Sequence, residues 1–274
     1  MSDVKAVEKF LQRYRDLKHE ISKVIVGQDA VIEEILISIF SGGHVLLIGV
    51  PGLAKTLMVK TISTALGLDF KRIQFTPDLM PSDILGSEIL DNKKNFKFIK
   101  GPVFSNIVLA DEINRTPPKT QAALLEAMQE NSVTVAGTLY NLDRPYFVLA
   151  TQNPIEQEGT YPLPEAQLDR FMFAINLKYP TFTEEVEIVK QTTSNEIFVP
   201  NPVFDSSSVT EFQRLIRKIP IADNVIEYAV KMISKSRPGA DNSFDLIKDF
   251  VSWGAGPRAS QNLILAAKTN AVLH

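Results

Sequence analysis

Residues 49–56 decide the fold, and they read Gly49-Val50-Pro51-Gly52-Leu53-Ala54-Lys55-Thr56. This octapeptide follows an apolar run at 44–48, which predicts a buried strand, and it leads into a helical pattern over 54–66. A strand, a glycine-rich turn and a helix in that order predict a phosphate-binding loop, because backbone N–H groups and the helix N-terminus converge on phosphate oxygens. Lys55 is then expected to reach the β- and γ-phosphates of a nucleotide, and Thr56 to offer its hydroxyl to Mg²⁺.

One position departs from the usual motif. Ala54 stands where G-x-x-x-x-G-K-[ST] has its second glycine. A Cβ atom is tolerated there if the residue has helical backbone angles, so we expect such angles at Ala54. The simpler alternative is a Gly/Pro turn followed by an exposed lysine.

Two further apolar runs end in polar side chains that suit the same chemistry. Residues 107–110 precede Asp111 and Glu112, and residues 147–151 lead to Asn153. Asp111 can serve the metal of an Mg²⁺ nucleotide, and Glu112 can orient or deprotonate water. Asn153 can meet the γ-phosphate or the attacking water, because ligands of open α/β sheets lie beyond the carboxyl ends of the strands.

Taken singly, these signals are weak. An acidic pair after a strand is more often a solvated turn or a helix cap, and Asn153-Pro154 alone favours a plain turn. Three strands in compatible order, each ending in a group that phosphoryl transfer needs, favour a nucleotide site instead.

The wider pattern predicts an α/β fold, with a parallel sheet flanked by helices, followed by a smaller all-helical domain. Short apolar runs indicate strands at 44–48, 72–75, 107–110, 147–151 and 171–177. Two β-hairpins are expected to interrupt this alternation, one at 87–99 and one at 133–142. Strand signals disappear after Tyr179, so we expect an α/β domain over 1–179 and helices over 180–274, with Trp253 in the helical core.

Composition excludes several classes of protein. With 274 residues, 45% hydrophobic and 22% charged, the chain is neither disordered, collagen-like nor a coiled-coil rod. Its net charge of −3 creates no overall attraction to nucleic acid or an anionic membrane. The absence of cysteine excludes disulfides and cysteine-ligated metals. Neither a secretory signal nor an apolar run of membrane-spanning length occurs, so we expect a soluble, cytoplasmic protein.

Beyond these separate signals, the chain resembles the AAA+ ATPases, and within them the MoxR family. The resemblance covers nearly the whole chain, and Ala54 in place of the second glycine is itself typical of that family. It is carried by five segments: 52–56 (GLAKT), 75–83 (FTPDLMPSD), 111–115 (DEINR), 150–154 (ATQNP) and 163–171 (LPEAQLDRF).

The resemblance implies roles that spacing alone does not. Asn153 corresponds to sensor 1, Arg170 to the arginine finger that reaches a neighbouring subunit's nucleotide, and Arg258 to sensor 2 on the helical lid. Without the resemblance, Arg170 and Arg258 would be read as surface arginines. The hairpin at 87–99 corresponds to the helix-2 insert, and the one at 133–142 precedes sensor 1. The nucleotide is expected to contact two groups of residues: Val26, Gly27 and Gln28 beside the adenine, and Gly49, Pro51, Gly52, Leu53, Ala54, Lys55, Thr56 and Leu57 in the loop.

The function implied is hydrolysis of ATP with Mg²⁺ by a homo-oligomeric ring, a hexamer in the family, which remodels or matures a protein client. A partner with a von Willebrand factor A domain often accompanies such proteins. A DNA-acting motor is an alternative, disfavoured by the acidic balance and by the lack of a GAFTGA-like loop in the insert. A scaffold that binds ATP without hydrolysing it is another, in which Glu112, Asn153 and Arg170 would be unnecessary. The family's lid usually continues beyond the point that corresponds to His274, which predicts either a short lid or a truncated chain.

Overall fold

The computed structural model describes residues 3–90, 95–155, 159–195, 198–240 and 243–274. The hairpin residues 91–94, with Lys93 and Lys94, lie outside these ranges. The helices are α1 (Asp3–Ser22), α2 (Asp29–Ser41), α3 (Lys55–Ala65), α4 (Pro81–Leu85), α5 (Pro118–Glu130), α6 (Glu165–Leu168), α7 (Phe182–Thr192), α8 (Ser206–Lys218), α9 (Asp223–Ser234), α10 (Asp245–Phe250) and α11 (Pro257–Leu273). The strands are β1 (His44–Ile48), β2 (Phe70–Gln74), β3 (Gly86–Leu90), β4 (Phe96–Lys100), β5 (Ile107–Asp111), β6 (Ser132–Val135), β7 (Thr138–Asn141), β8 (Phe147–Gln152) and β9 (Phe171–Asn176).

The central sheet is parallel, as predicted. Its strand order, within the described residues, is β2-β5-β8-β1-β9. Strands β5 and β8 are buried almost throughout, which explains their near-continuous apolar sequences. Because all these strands run the same way, the ends of β1, β5 and β8 lie together at one edge, where the predicted polar side chains follow.

Helices cover both faces of the sheet and form two hydrophobic clusters. On one face, α1, α2, α3, α8 and α11 pack around aromatic side chains, where the rings of Phe10 and Phe212 stack with centroids 4.3 Å apart. On the other face, Leu124 and Met128 of α5 pack against the sheet and the second hairpin. The sheet is thereby held between two layers, and its carboxyl edge is fixed in place.

The two predicted hairpins are present as antiparallel pairs, β3 with β4 and β6 with β7. They pack against each other through Phe98 and Tyr140, whose rings stack with centroids 4.3 Å apart. Both are inserted between elements of the main sheet, where the sequence places them.

The helical part of the chain contacts the α/β part closely. Gln213 of α8 donates to the Ile39 carbonyl over 2.8 Å, and the hydroxyls of Ser41 and Thr269 lie 2.7 Å apart. The division of the chain at residue 180 stays a prediction.

The expectation for Trp253 is wrong, because this side chain is 77% exposed. Its predicted helix, 244–252, ends already at Phe250, so Trp253 lies in the following bend rather than on an inward helix face.

None of the helices in the described part of the chain has the length and apolar character that crossing a membrane requires.

Candidate active site

The loop at 49–54 joins β1 to α3 at the carboxyl edge of the sheet. Its first residue, Gly49, donates its N–H to the Gln152 carbonyl at the end of β8 over 3.1 Å. A Cβ atom on Gly49 would lie 3.0 Å from the Cβ of Leu177, so close packing favours glycine there. At Gly52 the reason differs: φ is +88°, and a Cβ would meet nothing within 4 Å. The N-terminus of α3 therefore opens towards free space, as a phosphate loop requires.

Ala54 does not have the helical angles that we expected. Its φ is 53° and its ψ is 24°, which is the left-handed region, and α3 begins only at the next residue. A Cβ in that region costs about 1–2 kcal/mol. The structure thus corrects the sequence argument: the alanine is accommodated with strain, and the glycine of the general motif would be free of it.

The Lys55 side chain is half-buried beside this loop. Its Nζ donates to the Gly49 carbonyl and, over 3.3 Å, to the Val50 carbonyl. Burial lowers the pKa of Lys55, while the negative charges of Asp111 and Glu112 act in the opposite direction. The ammonium therefore rests on its own loop, close to two carboxylates.

Asp111 is buried at the end of β5, and both of its carboxylate oxygens have partners. The Thr151 hydroxyl donates to Oδ1 over 2.6 Å. The Arg72 guanidinium donates to Oδ2 from Nε over 2.9 Å and from Nη2 over 2.7 Å. These bonds balance the cost of burying the charge.

Glu112 follows in the left-handed region, with φ at 57°. Its N–H donates to the Thr151 hydroxyl over 2.8 Å. Its Oε2 accepts from Gln74 Nε2 over 2.9 Å and from Arg115 Nη1 over 3.1 Å. The two carboxylates are thus held by different arginines.

All the residues that line one cavity of about 430 Å³ at this edge, which we call the phosphate cavity, are among the predicted site residues. It brings together Lys55, Thr56, Asp111, Glu112 and Asn153. The remaining lining residues belong to the loop and the start of α3: Pro51, Gly52, Leu53, Ala54 and Leu57.

A second cavity of about 140 Å³, largely apolar, adjoins the first. It contains Val26 and Gln28 from the segment expected to lie against adenine, together with residues of α7 such as Ile188. The two cavities share Gly52, Leu53, Ala54 and Leu57. A planar apolar group in one and a polyanion in the other can therefore belong to a single ligand.

The oxygen donors of the phosphate cavity suit Mg²⁺. This ion prefers oxygen ligands, keeps several waters, and is usually bound by one or two carboxylates together with substrate phosphates. Asp111 and the Thr56 hydroxyl supply such oxygens at the wall of the cavity.

Other predicted residues lie apart from the phosphate cavity. Gly27 is not among the residues that line the apolar cavity, and a Cβ atom on it would meet the Glu184 side chain. Arg170 donates through Nη1 to the Leu125 carbonyl, over 3.3 Å, and to the Gln129 side chain. Arg258 donates to Asp169 over 2.7 Å, so the two arginines belong to adjoining parts of the surface. Their roles stay predictions.

Sequence reasoning missed Arg72 and Gln74 of β2. One signal was available: they alternate along a strand and therefore share a face. Their importance depends on β2 lying beside β5, where Gln74 is paired with Asp111. Arg115 and Thr151 lie in segments that carry the family resemblance, but no contact was predicted for either side chain.

Comparison with known proteins agrees with this geometry. A family model described as "ATPase family associated with various cellular activities (AAA)" matches residues 44–173. The chain is 43% identical to "Chaperone MoxR1" of Mycobacterium tuberculosis, over 93% of this chain and 67% of that protein. The chain belongs to the MoxR family of AAA+ ATPases.

This MoxR-family chain covers a still larger share of two further relatives. The uncharacterized protein YeaC of Bacillus subtilis is 46% identical, over 93% of this chain and 77% of that protein. The crystal structure of a Cytophaga hutchinsonii protein described as "a putative ATPase" superposes with a TM-score of 0.92 at 44% identity. That match covers 99% of this chain and 83% of the other.

Proposed function

We propose that this MoxR-family protein hydrolyses ATP and uses the energy to remodel or mature a protein client. The observation that carries the proposal is the phosphate cavity, where an ammonium, a hydroxyl, two carboxylates and an amide line one space beside an apolar cavity. This is the set of groups that phosphoryl transfer to water needs.

Each group has a distinct task. The N–H groups at the start of α3 and the Lys55 ammonium compensate phosphate charge, while the apolar cavity takes the base. Thr56 and Asp111 would hold Mg²⁺, which would further compensate the charge on the β- and γ-phosphates. Glu112 accepts a proton from the attacking water, and Asn153 orients that water or the γ-phosphate.

The proposed active site is completed by a neighbouring subunit. Neither Arg170 nor Arg258 lines the phosphate cavity of its own chain, and the Arg258 partner Asp169 directly precedes Arg170. A homo-oligomeric ring, hexameric as in the family, would present this surface to the next subunit's nucleotide.

Work on a client is supported by the relative named a chaperone. We further propose that the protein acts in the cytoplasm, with a von Willebrand factor A domain protein as partner, as the family resemblance implies.

Release of phosphate from Mg²⁺-ATP, measured against protein concentration, tests catalysis and assembly together. Turnover per chain should rise with concentration as subunits associate. Glu112→Gln keeps the size of the side chain and its hydrogen bonding but removes the base, so turnover should fall by about 10²-fold or more while ATP still binds.

The matched control is Glu8→Gln, which removes one carboxylate from an exposed position of α1. It should leave turnover unchanged. Binding of ATP with no phosphate release at any concentration would favour the non-hydrolysing scaffold, and normal turnover by Glu112→Gln would require another base.

A further inference from the structure

Arg72 is the cation that contacts Asp111 directly. Two of its nitrogens donate to the same carboxylate oxygen, Oδ2, over 2.9 and 2.7 Å. The Lys55 ammonium, by contrast, donates to carbonyls of its own loop. Asp111 thus has its charge balanced from the neighbouring strand β2.

The two partners differ in their access to water. The Asp111 side chain is 11% exposed, whereas that of Arg72 is 47% exposed. A buried carboxylate needs a cation or hydrogen-bond donors beside it, while a half-exposed guanidinium can move into solvent at little cost. If one of the two moves, it is Arg72.

Arg72 also has a second acceptor. Its Nη2 donates to Gln74 Oε1 over 2.5 Å, on the same face of β2. The guanidinium can therefore leave Asp111 and remain hydrogen-bonded.

We propose that Arg72 is an exchangeable counter-ion of Asp111, which gives up the carboxylate when Mg²⁺ binds with the nucleotide. This inference rests on the proposed function in so far as it assigns Asp111 to the metal. Arg72 then sets the Mg²⁺ concentration at which the site assembles, because the metal must compete with two charge-assisted hydrogen bonds.

The test is a Mg²⁺ titration of the binding of a fluorescent ADP analogue, which involves no turnover. Arg72→Gln should lower the Mg²⁺ concentration at half-effect by about tenfold, since hydrogen bonds to a charged group are worth roughly that factor. The affinity for the analogue without Mg²⁺ should stay within about twofold, because Arg72 is not among the residues lining the phosphate cavity.

Lys71→Gln is the matched control. It removes the same charge from the neighbouring, exposed position of β2, whose side chain points to the opposite face. A general loss of positive charge would shift both variants equally, whereas the proposal requires the shift in Arg72→Gln alone. Arg72→Lys, which keeps the charge but loses the paired donors, should give an intermediate half-effect concentration and serves if the glutamine variant does not fold.

An unchanged or higher half-effect concentration in Arg72→Gln would overturn the inference. So would a large loss of affinity for the analogue without Mg²⁺, which would make Arg72 a phosphate ligand. If the wild-type protein binds the analogue with Mg²⁺ but never releases phosphate from ATP, the proposed function fails while the Arg72 assignment can still hold.

Discussion

Arg170→Ala asks whether the active site is shared between subunits. Within one chain, the Arg170 side chain makes few contacts: Nη1 donates to the Leu125 carbonyl and to Gln129, while Nε is buried without a partner in the described part of the chain. Losing two such hydrogen bonds costs about 1–3 kcal/mol of unfolding free energy, and less where the groups regain water. ATP binding should change little, because Arg170 does not line the phosphate cavity.

The effect on turnover should be much larger if Arg170 acts on a neighbour's nucleotide. An arginine finger is worth about 10³–10⁵ in rate, or roughly 4–7 kcal/mol of barrier, because it stabilises charge that grows in the transition state. Steady-state phosphate release at saturating ATP measures this loss. Arg214→Ala, an exposed arginine of α8, is the matched control and should keep its turnover.

The decisive measurement is the turnover of a mixture of two inactive variants, Arg170→Ala and Lys55→Ala. An Arg170→Ala subunit retains its own loop, and a Lys55→Ala subunit retains its finger. In a randomly mixed ring about a quarter of the interfaces combine both intact halves, so two inactive proteins should regain up to that share of the activity. If labelled subunits are shown to exchange and the mixture stays inactive, or if Arg170→Ala hydrolyses ATP normally, the shared-site reasoning is wrong.

Two further predictions concern single chains. Lys55→Ala should remove most nucleotide affinity, because the backbone alone only partly compensates the phosphate charge; an unchanged dissociation constant for a fluorescent ATP analogue would contradict the loop assignment. His44 is buried, accepts the Val148 N–H at Nδ1, and has its pKa lowered by burial to about 4. The unfolded chain takes up that proton near pH 6.5, so the free energy of unfolding should fall by about 3 kcal/mol as the pH drops from 6.5 to 4. Urea unfolding across this range should show a loss that is larger by about that amount in the wild type than in His44→Gln; equal slopes would refute it.

Much of the fold was predictable because buried parallel strands have an unmistakable composition. The run at 107–110 is apolar throughout, and β5 is buried along its whole length. The ends of the helices were predicted less well, because the capping contacts that end a helix depend on a few local residues and not on the apolar pattern. The shorter α10 shows this, because it leaves Trp253 in a bend rather than in the core.

The residues of the site were predictable, but their partners were not. Lys55, Thr56, Asp111 and Glu112 follow from strand ends and motif spacing. Arg72 reaches Asp111 only because β2 lies beside β5, which depends on the long-range order of the sheet. The left-handed angles of Ala54 were missed for another reason: alanine prefers helical angles, whereas the turn into α3 imposes the left-handed conformation.

The contacts of the acidic pair explain why its sequence alone was ambiguous. A solvated turn would leave both carboxylates in water, yet Asp111 is buried and Glu112 is only partly exposed. Each is neutralised by its own arginine, Arg72 from β2 and Arg115 from the turn after β5. Because these arginines belong to different elements, one carboxylate can change its partner while the other keeps it. If Asp111 holds the metal and Glu112 is the base, as proposed, substitutions at Arg72 and at Arg115 should therefore affect metal binding and hydrolysis separately.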